Sequence, residues 1–91
     1  MTRLLICSLA AAMLLSLAPQ ARAQDACYDL WLERNSIFKR AGYCFKTARA
    51  IRQFGNAGCQ FDDDRDLPLS QRDRNRVAYL VQQERAYGCR Y

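Results

Sequence analysis

Cys27, Cys44, Cys59 and Cys89 are the residues that most constrain what this chain can fold into. An even set of cysteines in a short exported chain reads as two disulfides. The chain has no histidine and no Cys-x-x-Cys pair, so zinc would need an all-cysteine site at wide spacings. Structural zinc usually shows at least one close ligand pair, and no metal is expected. The fifth cysteine, Cys7, lies in a leader. Arg3 gives a short basic start, Leu4 to Ala18 is apolar apart from Ser8 and Ser16, and Ala21-Arg22-Ala23 is a small-x-small cleavage site. The apolar run is short for a membrane span, which needs about 20 residues. Cys7 follows Leu5-Ile6 rather than a small residue, unlike a lipoprotein acylation site. Residues 1–23 are therefore expected to be a signal peptide and residues 24–91 one soluble exported domain, with no stable membrane anchor after cleavage.

The 91 residues less that leader leave 68. Removing Arg3 and Arg22 leaves 12 basic against 9 acidic residues, a net +3. That excess is modest for nucleic-acid binding, and export argues further against it, so no nucleic-acid partner is expected. A core this small rarely supplies more than about 3–5 kcal/mol by itself, which gives the disulfides a physical purpose.

Periodicity predicts an all-α domain of three helices. The first is expected over Ala26 to Arg40, capped by Asp25 and stopped by Gly42. At about 100° per residue, Cys27, Leu30, Trp31, Ile37, Phe38 and Ala41 share one face, with Arg34 among them; Leu32, Glu33, Ser36 and Lys39 point away. Thr47 caps a short helix, Ala48 to Phe54, with Ala50, Ile51 and Phe54 inward and Arg49 outward. Gly55-Asn56-Ala57-Gly58 breaks it. Ser70, with Asp73 three residues on, starts a third helix near Gln71 that runs to Tyr87 and stops at Gly88. Its stripe is Val77, Leu80, Val81 and Tyr87, with Glu84 in the middle.

Two helices thus carry one inward charge each, of opposite sign. Antiparallel packing of the first and third helices brings Cys27 beside Cys89. It also puts Arg34 and Glu84 roughly 10 Å and 8 Å from that bridge, within reach of each other. A Cys27–Cys89 and Cys44–Cys59 pairing is preferred. Cys27–Cys44 is disfavoured, because a continuous helix would hold the two about 20 Å apart against roughly 6 Å in a disulfide. Cys27–Cys59 with Cys44–Cys89 stays open. Arg34 and Glu84 are expected to form a structural ion pair, since an unpaired buried charge is costly. Arg34 over an aromatic floor of Trp31, Phe38 and Tyr43 is the alternative, a cation facing a carboxylate or sugar. Trp31, Asn35 and Tyr43 are the candidate binding surface, with Asn35 expected to hydrogen-bond the Tyr43–Phe45 turn.

The run Arg34-Asn35-x-Ile37-Phe38-x-x-x-Gly42-Tyr43-x-Phe45 resembles the YARHG domain of bacterial exported and cell-surface proteins. The family's aromatic, second basic residue and glycine are matched by Phe38, Arg40 and Gly42; Lys39 and Ala41 depart from its alanine and histidine. The wider pattern, Cys27-x-x-Leu30-Trp31, Phe54-Gly55-Asn56-x-x-Cys59 and Gly88-Cys89, is similar to the cysteine-containing branch in Gram-negative bacteria. The resemblance implies a small helical extracytoplasmic domain of unassigned activity. No role of the family's histidine passes to Ala41.

Catalysis has little foothold. Ser36 and Ser70 lack the usual base, the cysteines are committed to bridges, Glu33 is expected outward and Glu84 paired, so no catalytic residue and no cofactor is expected. Asp62, Asp64, Asp66 and Asp73 fall at calcium-loop spacing, but Leu67 stands where the loop needs a glycine, and a solvated acidic loop is expected. The expected function is a non-catalytic binding or structural module, periplasmic or secreted. Its partner would be a cell-envelope polymer or a periplasmic protein. The alternative is a secreted effector, such as a protein inhibitor or a cationic toxin-like factor. An envelope binder should show an exposed aromatic patch with Arg or Lys, and an inhibitor one protruding ordered loop.

Overall fold

The computed structural model describes residues 18–90, with side chains from Gln24 onward. Most of the expected leader lies outside the described residues. Three helices, α1 (Ala18–Arg40), α2 (Ala48–Phe54) and α3 (Gln71–Ala86), are joined by loops, the second containing a 3-10 turn at Asp64–Asp66. No strand occurs among the described residues; Tyr43 and Phe61 form one isolated parallel bridge. Both disulfides are at bonding distance in the preferred pairing, with Cα separations of 5.5 Å for Cys27–Cys89 and 5.1 Å for Cys44–Cys59.

Helix α1 begins at Ala18, not at Ala26. Asp25 lies inside it and caps nothing. The preceding Gln20-Ala21-Arg22-Ala23-Gln24 stretch is made of good helix formers, and Pro19 is tolerated in a first turn. The helix ends as expected. The Gly42 amide donates to the Lys39 carbonyl at 3.1 Å, and the Tyr43 amide reaches back to Phe38 at 3.1 Å. This pair of bonds, with Gly42 at φ 95°, satisfies the last carbonyls of the helix. The Phe38 and Tyr43 rings, 5.7 Å apart, supply the apolar contact that accompanies such an ending. A side chain at Gly42 would also sit 3.3 Å from the Phe61 ring.

Helix α3 repeats the device. Ser70 Oγ accepts from the Asp73 amide at its start. At its end Gly88, at φ 67°, donates to Arg85 at 3.1 Å, and Cys89 donates to the Glu84 carbonyl at 2.9 Å. Both long helices therefore stop on a glycine and deliver a cysteine within two residues, Cys44 in one case and Cys89 in the other.

The core gathers Trp31, Phe38, Phe45, Ala50 and Leu67, flanked by Leu32, Tyr43, Phe54, Phe61 and Val77. Ile37 and Leu80 are also buried. Three inward or outward assignments change: Leu32 packs against the core, and Ile51 and Tyr87 are exposed. Glu33 and Lys39 stay partly exposed but reach partners outside α1. Helix α2 is too short to bury more than one stripe, and Ala50 with Phe54 occupies it. Tyr87 is the C-cap of α3, so the helical periodicity no longer governs its direction. Leu67 enters the core directly after the acidic 3-10 turn, drawing that loop down onto the domain.

Two ion pairs fasten α1 to α3. Arg34 Nε donates to Glu84 Oε1 at 2.6 Å and Nη2 to Oε2 at 3.1 Å. Their side chains are only 20 % and 10 % exposed. Such bidentate geometry offsets the cost of removing both charges from water, and removing one partner strands the other. Glu33 forms the second brace, with Arg76 Nη2 donating to its Oε1 at 2.8 Å and Arg76 Nε to its other oxygen. This pair is solvent-exposed and contributes little stability. Lys39, expected to point away, donates from Nζ to the Gly55 carbonyl at 3.1 Å and pins the end of α2.

Two predictions follow from these braces. Arg34→Met and Glu84→Gln should each destabilise the domain, by about 3 kcal/mol where a buried charge is left alone. In denaturant titrations the double variant should lose less than the sum of the two; a plainly additive loss would show that the pair carries no coupling. The hydrogen bond from Arg76, more than its charge, holds the Glu33 carboxyl below the usual glutamate range. The small stabilisation from this pair is thus present above the ordinary glutamate value and lost as pH falls through the depressed one. A carboxyl NMR titration should return Glu33 to its ordinary midpoint in Arg76→Gln, and an unchanged midpoint would contradict the assignment.

Candidate functional site

Aromatic side chains run through the domain in an unbroken series. Tyr28 meets Trp31 at 6.2 Å between ring centroids, Trp31 meets Phe54 at 5.8 Å, and Phe54 stacks on Phe45 at 5.0 Å. Phe45 then meets Tyr43 at 5.2 Å, and Tyr43 meets Phe38. Two cations lie over rings of the series. The Arg49 guanidinium carbon sits 4.1 Å from the Trp31 ring and 5.8 Å from Tyr28, and Lys46 Nζ sits 5.9 Å from Tyr43. Guanidinium stacking on an indole face is favourable when the contact is partly desolvated.

The residues singled out from the sequence take unequal places. Arg34 is bound to Glu84, as described above. Trp31, Asn35 and Tyr43 do come together with Arg34 around a small recess of about 240 Å³. They offer little surface there, because Trp31 is 5 % and Asn35 6 % exposed and Tyr43 is half-buried. Trp31 belongs to the core and Asn35 is a buried polar residue beside it. Asn35 does not reach the Tyr43–Phe45 turn either; its Nδ2 donates to the Trp31 carbonyl one turn back at 2.9 Å. Asn56 takes the turn instead. The Phe45 amide donates to Asn56 Oδ1 at 2.7 Å, and Asn56 Nδ2 donates to the Phe45 carbonyl at 2.9 Å. A buried residue such as Phe45 needs both backbone groups paired, and one amide side chain supplies both partners.

Two of the exposed tyrosines lie at the Cys27–Cys89 end. Tyr28 is 43 % and Tyr87 49 % exposed. With Arg49, Arg90 and the disulfide they line an open recess of about 320 Å³. Tyr28 is the end of the aromatic series, so its ring is held from behind by Trp31. Tyr87 is placed by the glycine stop of α3. Sequence periodicity missed this corner, because it is assembled from the start of α1, the side of α2 and the end of α3. The position of Cys27 next to Tyr28, and of Cys89 near Tyr87, was the available signal.

Two of the four aspartates of the acidic loop are held by cations of the chain. Asp62 accepts from Lys46 at 2.9 Å. Asp63 accepts from the Arg65 amide and is held by its guanidinium at 2.7 Å, which keeps the Asp63 carboxyl well below the usual range. Among the described residues no three His, Cys, Asp or Glu side chains are grouped to hold a metal ion. No helix among them is long and apolar enough to cross a membrane.

No curated protein and no solved structure matches this chain significantly. Residues 6–85 match the family model of the YARHG domain. That family is a small extracellular or periplasmic type of domain without an assigned activity and is not a known enzyme family, and two disulfides fit an oxidising compartment. The match covers α1 from its first turn, the glycine-cysteine turn after it, α2, and α3 almost to its end, and the chain belongs to the YARHG domain family.

Proposed function

We propose that the domain is an exported, non-catalytic binding module that contacts a component of the bacterial cell envelope through the Tyr28–Tyr87 corner. The observation that supports this most is the combination of two exposed tyrosines with Arg49 and Arg90 around one recess, beside a disulfide that fixes both chain segments. Rigid rings with cations beside them suit polar partners that also present an apolar face, such as sugars and short peptides. Both glutamates that could have served in hydrolysis are engaged, Glu33 by Arg76 and Glu84 by Arg34. The alternative, an inhibitor-like effector, calls for a protruding loop. The long loop between α2 and α3 is instead tied down by Cys59, by Lys46–Asp62 and by burial of Leu67.

Co-sedimentation with purified peptidoglycan is the direct test, using oxidised protein recovered from the periplasm. The protein should be retained, and Tyr28→Ala with Tyr87→Ala should weaken retention on the order of tenfold while helical circular dichroism is unchanged. No retention, or retention indifferent to both tyrosines, would sink this reading.

A further inference from the structure

A second recess, about 630 Å³, opens between α1 and the first half of α3 and shares no residue with the Tyr28–Tyr87 corner. Its size falls within the usual range for ligand sites, roughly 300–1,000 Å³. Three arginines line it: Arg40 from the last turn of α1, and Arg72 and Arg76 from α3. Arg76 is immobilised twice, by the two hydrogen bonds to Glu33 and by the Tyr79 ring 5.1 Å from its guanidinium carbon. Arg40 and Arg72 make no ion pair among the described residues. Both residues are exposed, and Tyr79, which lines the same recess, is about half exposed.

The acidic and amide groups decide which anion fits. Asp73 and Asn75 line the same recess, and so does the Glu33 carboxylate. Nucleic acid or an anionic membrane would bring dense negative charge against those carboxylates. A ligand with one carboxylate and several hydroxyls meets no such conflict. Arg40 and Arg72 can take the carboxylate as charge-assisted donors, Asp73 and Asn75 can take hydroxyls, and the exposed part of Tyr79 can take the apolar face of a pyranose. We infer that this recess is a binding site for an acidic sugar, a pyranose ring bearing a carboxylate. The corner can fail as a binding surface without affecting this site, and the reverse also holds.

Amide NMR spectra of the oxidised protein test it, with digalacturonate, diglucuronate, neutral galactobiose and inorganic phosphate as probes. At least one of the two uronates should give saturable shifts at Arg40, Arg72, Asn75 and Tyr79, and galactobiose should bind about tenfold more weakly or worse. Arg40→Gln, Arg72→Gln and Tyr79→Ala should each weaken the uronate about tenfold with the rest of the spectrum preserved, and Tyr28→Ala should not. If neither uronate saturates, the site does not exist. If phosphate shifts the same amides as strongly, and Tyr79→Ala leaves the uronate unaffected, the recess is a bare cationic surface and the acidic-sugar assignment is overturned.

Discussion

Arg34 and Glu84 form the contact on which the arrangement of this small domain depends. A helix stripe is ordinarily apolar, and apolar contact is non-directional. A bidentate ion pair in the middle of two facing stripes allows one register, because any other leaves two poorly solvated charges unpaired. Glu84 joins this pair to the Cys27–Cys89 bridge. Its side chain holds Arg34, while its carbonyl accepts the Cys89 amide that turns the chain toward Cys27.

The rest of the architecture follows from two helix endings of the same kind. Each stops on a glycine at positive φ, satisfies its last carbonyls through the next two amides, and presents a cysteine within two residues. One ending closes α3 onto α1. The other starts the Tyr43–Phe45 turn, which Asn56 and the Cys44–Cys59 bridge hold against the end of α2. The aromatic series from Tyr28 to Phe38 fills the space between these two fixed points. Its interior members form the core, and its Tyr28 end reaches solvent at the corner where binding is proposed.

Local chemistry was legible in the sequence, and long-range placement was legible only where it followed from helix geometry. Thr47 and Ser70 cap their helices as expected, because a cap is a matter of three or four consecutive residues. The disulfide pairing was legible because antiparallel helices leave few ways to join the first and last cysteines. The start of α1 was not, since Asp25 is a good cap only where the preceding residues leave the helix. Asn56, not Asn35, holds the Tyr43–Phe45 turn for the same kind of reason: Asn56 is 11 residues from Phe45, and no periodicity records that pairing. The corner around Tyr28, Arg49 and Tyr87 joins three elements, so no single stripe could reveal it. Leu67 was hidden by its neighbours, an apolar residue at the end of an aspartate run.

The central claim is that α1 and α3 meet in one antiparallel register, with Cys27 against Cys89. A non-reducing tryptic map of the oxidised protein tests it directly, since cleavage after Arg34, Arg40, Lys46, Arg52, Arg65, Arg85 and Arg90 places every cysteine of the domain on a separate peptide. The peptide ending at Arg34 should be found joined to Ala86–Arg90, and Ala41–Lys46 joined to Gln53–Arg65. A peptide ending at Arg34 joined to Gln53–Arg65 would contradict the helix pairing and everything built on it.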